Sequence, residues 1–309
     1  MTSEVQLRRV AVIGAGTMGR GIAQVAALGG METMLHDADE AALGRARAVI
    51  EAALAKGVEL GKVPAAAAAK ARQNLRTASR LEDAARGADL VIEAVPEDIA
   101  LKIETFRALV RLAPPHAVLA TNTSALSITE IAGATERPER VIGMHFFNPV
   151  HLMKLVEVVR ALQTSDAANA LAFAAARRMG KEPIAINESP GFVTSRINAL
   201  IGNEAFYLLQ EGVASAADID KALKLGLNHP MGPFELVDLV GLDTRLSILQ
   251  FLYRTLGEKY RPCPLLEKYV KAGRLGRKVG KGVYEYPEEA AAVRSGGADG
   301  PSAAPAARA

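Results

Sequence analysis

The sequence contains one cysteine, Cys263, no tryptophan, and only 5% aromatic residues among its 309. A single cysteine excludes an internal disulfide and any cysteine-clustered metal site, and no metal is expected. No run reaches the ~18 uninterrupted apolar residues of a membrane-crossing helix. The opening MTSEVQLRRVAVIGAG has no apolar stretch followed by a small-residue cleavage site, so no secretory signal is expected. Charge of one sign is also missing. The 37 basic and 34 acidic residues leave +3, too even a balance for a nucleic-acid binder read on charge alone. These absences point to a soluble protein of a reducing, cytoplasmic compartment.

What is present is apolar surface: 50% of the residues are hydrophobic and 23% charged, enough for a sizeable core in about two domains of roughly 150 residues. The first 190 or so residues alternate apolar β-branched runs with Ala-rich segments of helical period. That is the pattern of an α/β fold with a mostly parallel sheet covered by helices. Strands are expected at Val10–Ile13, Thr33–His36, Leu90–Glu93, Val118–Thr121, Val141–Phe146, Lys154–Val159 and Pro183–Ile186. Asp39 suits the cap of a helix running toward Lys56, Pro64 a first helical position, and Asp166 the approach to an Ala-rich helix ending near Gly180. After Ser189-Pro190-Gly191 the strand pattern stops. Helices are expected at Val193–Gln210, Ala216–Leu225, Pro233–Leu256 and Leu265–Ala272. The expected domains are therefore 1–187, with the sheet, and 188–287, all helical. The remaining 288–309, rich in Ala, Gly, Pro and Ser, is expected to be a disordered tail.

Gly14-Ala15-Gly16-Thr17-Met18-Gly19 is a G-x-G-x-x-G loop directly after an apolar strand and before a helical segment. Gly14 permits the tight turn, Gly16 the approach of a pyrophosphate to backbone, and Gly19 close helix–strand packing, while the helix N-terminus offers free N–H groups to phosphates. Eighteen residues beyond Gly19, Asp37 follows the next strand, where a carboxylate accepts the ribose hydroxyls of an adenine dinucleotide; it also suits a solvated loop residue or a cap. Asp37, Asp39 and Glu40 with no arginine beside them would repel a 2′-phosphate, so NAD is favoured over NADP.

His145 stands at the end of an expected strand, where ligands meet an open α/β sheet. Glu157 places a charge inside the apolar run Leu155-Val156-Glu157-Val158-Val159, which is costly unless it is paired. If the two strands are neighbours, Glu157 can hold the imidazole as a general base requires. A strand-end histidine and a half-exposed glutamate with no connection fit the spacing equally well.

The combination VIGAGTMG, VIEAVPEDIALK, TNTSAL, MHFFNPV, MKLVEVV, SPGFVTSR, HPMGPFELVDLVGLD and GRKVGKGVYEY resembles the L-3-hydroxyacyl-CoA dehydrogenase family, particularly its short-chain 3-hydroxybutyryl-CoA members, from Arg9 to Tyr286. The resemblance implies a Rossmann-like NAD-binding domain followed by a helical domain that forms a homodimer. It implies His145 as catalytic base with Glu157 as its partner, and Ser124 and Asn148 touching both substrate carbonyls and the nicotinamide side. It also implies that Gly14, Gly16, Thr17, Met18, Gly19 and Asp37 bind NAD, that Glu97 and Lys102 lie near its ribose, and that Lys278 reaches toward it. The activity implied is the reversible NAD-dependent oxidation of short-chain (S)-3-hydroxyacyl-CoA.

Three positions depart from the family pattern. Ser195 replaces an Asn ahead of Arg196, and Ala53 and Leu60 replace a Ser and a Lys directed at the CoA phosphates; Lys56 and Lys62 lie on the same segment and could substitute. These departures leave open a dehydrogenase of a free hydroxy acid, of the L-gulonate type. A non-catalytic NAD-binding structural protein is a third reading. Cys263, flanked by Pro262 and Pro264, reads as structural.

Overall fold

The computed structural model describes residues 7–287; the expected tail, 288–309, lies outside the described residues. Two compact units divide between Phe192 and Val193. In chain order the first holds β1 (Arg9–Ile13), α1 (Thr17–Leu28), β2 (Glu32–His36), α2 (Glu40–Glu59), α3 (Ala65–Asn74), β3 (Leu75–Ala78), α4 (Leu81–Ala85) and β4 (Leu90–Glu93). It continues with α5 (Ile99–Leu112), β5 (Val118–Thr121), α6 (Ile128–Gly133), β6 (Val141–Phe146), β7 (Leu155–Arg160), α7 (Asp166–Arg178) and β8 (Glu182–Asn187).

The eight strands form one sheet in the order β3-β2-β1-β4-β5-β6-β7-β8. Every neighbouring pair is parallel except β6 with β7. Helices cover both faces, so the central strands are apolar on both. Val10 and Val12 of β1 enter one core with Ile22, Leu35, Ile50 and Leu54, and Ala11 and Ile13 enter the other with Val91, Phe106 and Leu119. That double burial is why these strands read as continuous apolar runs.

Local chemistry sets the helix starts. Asp39 caps α2 through a bond accepted from the Ala41 N–H, and Asp98 caps α5 through the Leu101 N–H. Pro64 is the N-cap of α3 rather than its first helical residue, and Ser165 caps α7 with Asp166 as the first residue inside.

The second unit contains α8 (Thr194–Gln210), α9 (Ala216–Gly226), α10 (Pro233–Val240), α11 (Leu242–Leu256) and α12 (Pro264–Lys271). The single helix expected over Pro233–Leu256 is two, because Gly241 adopts φ 106°, which a helix cannot contain. Phe206 and Phe234 meet edge to face at 5.2 Å in the middle of this unit's core. Two buried aspartates tie its ends together. Asp220 accepts the N–H groups of Phe234 and Glu235 at the start of α10 and the hydroxyl of Tyr284 at 2.7 Å. Asp238 accepts the N–H groups of Val283 and Tyr284 and the hydroxyl of Tyr286. Burial is the largest influence raising both tyrosines above their ordinary pKa, with the carboxylates adding to it. Among the described residues, no helix is long and apolar enough to cross a membrane.

Candidate active site

The glycine loop joins β1 to α1 beside β4, at the point where the strand order turns from β1-β2 to β4-β5. Gly14 sits at φ +101°, and a Cβ on it would meet the Ala94 carbonyl oxygen at 2.7 Å; a Cβ on Gly19 would run into the Gly14 carbonyl. A Cβ on Gly16 would meet nothing within 4 Å. Two glycines are thus required by protein contacts, and the third faces open space, which is the cradle a pyrophosphate needs. No acidic side chain lies in the first turn of α1, so its N–H groups meet no fixed negative charge there. Asp37 stands next to this loop and braces it: Oδ2 accepts the Ala15 N–H at 2.8 Å and Oδ1 the Asp39 N–H at 3.0 Å. Arg45, one turn into α2, donates to Asp39 at 3.2 Å, a basic neighbour not anticipated from the local sequence.

The ends of β4 and β5 share a second group of side chains. Glu93, fully buried, accepts the Val95 N–H and the Lys102 ammonium through Oε1, at 2.7 and 2.6 Å, and the Thr121 hydroxyl through Oε2 at 2.7 Å. Burial lifts the Glu93 carboxyl above its ordinary range, with Lys102, Thr121 and Val95 pulling the other way. Lys102 is entirely covered and turned onto Glu93, with the Glu97 carboxylate at 3.7 Å, rather than standing open at the cofactor groove. Glu97 is exposed and accepts from the Thr123 hydroxyl at 2.5 Å and from Ser124 through its N–H at 3.0 Å and its hydroxyl at 3.3 Å. Ser124 caps no helix; Ser127 caps α6.

His145 and Glu157 are direct partners across the antiparallel β6–β7 pair. Nδ1 of His145 lies 2.7 Å from Oε2 of Glu157, whose side chain is 0% exposed while that of His145 keeps 10%. With the carboxylate accepting the Nδ1 proton, the Nε2 lone pair is left to accept another. The Phe147 ring lies 4.5 Å from the imidazole and tilted against it. Asn122, after β5, accepts the Phe146 N–H at 2.9 Å and so ties the end of β6 to β5. Asn148 follows, exposed, before a cis peptide to Pro149.

The structure thus brings together Gly14 to Gly19 with Asp37, Glu97 and Lys102 with Ser124, and His145 with Glu157, all within the first unit. Lys56 and Lys62 are exposed at the end of α2 and beyond it, and Lys56 pairs with Glu59 at 2.9 Å. In the second unit Ser195 lies in the first turn of α8, and the Lys278 ammonium lies 2.6 Å from both Asp243 carboxylate oxygens. Glu93 and Asn122 were missed in the sequence. Glu93 carries the signal that singled out Glu157, a carboxylate in an otherwise apolar run; Asn122 carries none. Among the described residues, no group of three or more His, Cys, Asp or Glu is placed to hold a metal ion.

A glycine cradle at the strand-order switch and a buried histidine–glutamate pair across β6 and β7 are features of a dinucleotide-binding α/β protein. Residues 9–189 match the 3-hydroxyacyl-CoA dehydrogenase NAD binding domain, and residues 191–286 match the same family's C-terminal domain. The chain belongs to the 3-hydroxyacyl-CoA dehydrogenase family, and its cofactor is NAD. It is 48% identical to a probable 3-hydroxybutyryl-CoA dehydrogenase of Bacillus subtilis, over 92% of this chain and 99% of that one. Identity to the 3-hydroxybutyryl-CoA dehydrogenase of Bradyrhizobium diazoefficiens is 46%, over 91% and 96%. The crystal structure of (S)-3-hydroxybutyryl-CoA dehydrogenase from Ralstonia eutropha superposes with a TM-score of 0.88 at 42% identity, covering 91% of this chain and all of that one.

Proposed function

We propose that the chain catalyses the reversible reaction (S)-3-hydroxyacyl-CoA + NAD⁺ → 3-oxoacyl-CoA + NADH + H⁺ on short acyl groups such as 3-hydroxybutyryl. The observation that carries the reading is the 2.7 Å contact between His145 and a fully buried Glu157, inside a family NAD-binding domain. Bound NAD supplies the hydride acceptor in one direction and, reduced, the donor in the other. His145 does the proton work. Its Nε2 takes the 3-hydroxyl proton as the C3–H bond breaks, and in reverse the imidazolium returns a proton to the ketone oxygen. Glu157 holds the ring in the tautomer that leaves Nε2 free, and its charge stabilises the imidazolium.

The Ser124 hydroxyl and the Asn148 amide are fixed donors toward the developing oxyanion and the nicotinamide side. Glu97 orients Ser124 and lies toward the cofactor ribose, with Lys102 and Glu93 behind it. Thr17 and Met18 carry the first N–H groups of α1 to the pyrophosphate, and Asp37 meets the adenosine ribose. Lys56 and Lys62 attract the CoA phosphates. Exposed Leu225, Leu227, Val213 and Ile197, at 77, 66, 63 and 55%, support a homodimer through the second unit. The chemistry suits cytoplasmic short-chain acyl-CoA metabolism, in β-oxidation or butanoate metabolism.

The test is NADH absorbance with acetoacetyl-CoA beside free acetoacetate, with NADPH as the cofactor control. Rapid oxidation of NADH by the thioester alone is expected. Turnover of the free acid alone would return the reading to a hydroxy-acid dehydrogenase, and NADH binding without turnover would leave a structural protein.

A further inference from the structure

We propose that Lys181 is a positioning residue for the Asn148 amide, acting by clamping the turn that carries it. The proposal rests on the dehydrogenase reading, in which that amide faces the reacting groups.

Lys181 lies just before β8, in Gly180-Lys181-Glu182-Pro183, where a lysine ordinarily extends into water. Here it turns inward and is 7% exposed. Its ammonium donates to the carbonyl oxygens of Val150 and Met153, the second at 2.8 Å, and among the described residues it has no acidic partner. Burial lowers its pKa. An ammonium held by carbonyl dipoles alone is an expensive way to fill space, and a methionine would occupy nearly the same volume without the desolvation cost. What the charge adds is its hold on two carbonyls of one turn.

That turn is anchored at both ends. Downstream, Leu152 and Met153 both donate their N–H groups to the Pro149 carbonyl at 3.0 Å. Val150, 3% exposed, is seated against Gly21 of α1, where a Cβ would stand 2.8 Å from its own. Upstream, Asn122 holds the Phe146 N–H, and the Phe147 ring rests on His145. Asn148 lies between the anchors, exposed, and among the described residues its carboxamide has no hydrogen-bond partner. Its position therefore comes from the backbone on either side, and Lys181 supplies the downstream half.

The experiment is a double-mutant cycle with Lys181→Met, Asn148→Ala and the pair, read as kcat and KM for acetoacetyl-CoA with NADH. A displacement of about 1 Å in a reacting group costs up to ~100-fold, so Lys181→Met is expected to lower kcat by roughly 10- to 100-fold. In the Asn148→Ala background the same change is expected to cost less than about threefold, because the amide it places is gone. Equal losses in both backgrounds, or none in either, overturn the proposal. Hydrogen exchange reads the clamp without turnover. The amides of Leu152 and Met153 are expected to exchange at least about tenfold faster in Lys181→Met, with those of β1 and β4 unchanged; unchanged exchange at both also overturns it. Should the methionine variant not fold, Lys181→Gln, which keeps an N–H donor, takes its place in both measurements. A parent protein with no turnover of acetoacetyl-CoA defeats the dehydrogenase reading instead, and the exchange measurement then decides the clamp.

Discussion

Replacing Glu157 by Gln removes one charge from a site where nothing else changes size. The side chain is 0% exposed and 2.7 Å from the His145 ring. When the imidazole takes a proton, two opposite charges about 4 Å apart between centres interact by ~4 kcal/mol at an effective dielectric near 20. A neutral amide retains a hydrogen bond of about 1 kcal/mol, leaving a deficit of roughly 2–3 kcal/mol. At 1.36 kcal/mol per decade this lowers kcat by about 30- to 150-fold. If the amide presents its NH₂ to Nδ1, the ring proton moves to Nε2 and the loss is larger. Stability runs the other way. A buried carboxylate becomes a neutral group of the same shape, so Tm is unchanged or higher. The assay is NADH oxidation at saturating acetoacetyl-CoA, with NADH affinity measured separately and expected to match the parent. A kcat within about fivefold of the parent, in a variant of parental Tm, would refute the acid–base role of this pair.

Two further outcomes follow from geometry already described. Gly16→Ala is expected to leave Tm unchanged, since its φ is −65° and its Cβ would meet no protein atom within 4 Å, yet to weaken NADH binding by about tenfold or more. Gly14→Ala, with φ +101° and a Cβ 2.7 Å from the Ala94 oxygen, is expected to lower Tm as well; thermal melts with and without NADH separate the two. Asp89 gives a pH signature. Burial raises its pKa, but the Arg9 and Arg8 N–H groups and His116 outweigh it and hold the carboxyl below 3.8. A depressed folded value means the stabilisation is complete above the unfolded pKa and is lost as pH falls through the folded one. Asp89→Asn is expected to cost about 1 kcal/mol at neutral pH, or some 2–4 °C in Tm, and to converge on the parent in melts well below pH 3.8; a constant difference would defeat the assignment.

The central strands were legible because burial on both faces leaves almost only apolar residues to read, as in Val91 and Ile92 of β4 or Val118 to Ala120 of β5. β3 was not. Leu75-Arg76-Thr77-Ala78 lies at the sheet edge, partly covered, immediately after α3, so neither alternation nor an apolar run marks it. The break at Gly241 was hidden because apolar residues continue at helical spacing on both sides, and backbone conformation is not visible in periodicity. In the site, Glu157 could be singled out because a charge within an apolar strand demands a partner. Lys181 could not: before a strand it looks like any solvated lysine, and only the turn folded over it shows otherwise. The direction of β7 was equally silent, since a strand reads the same either way along the sheet.

That reversed strand separates two contacts by the length of chain each one closes. His145 and Glu157 are 12 residues apart and meet by closing one hairpin, a contact of short loop entropy. The cofactor cradle is different, because Gly14 needs the backbone at Ala94 against it and waits for β4 to dock beside β1. The glycine cradle is therefore built from distant pieces of the chain, while the histidine–glutamate pair lies on a single short stretch of it. A segment covering β6 through β7 carries that pair whole, whereas the two sides of the cradle, Gly14 and Ala94, lie 80 residues apart.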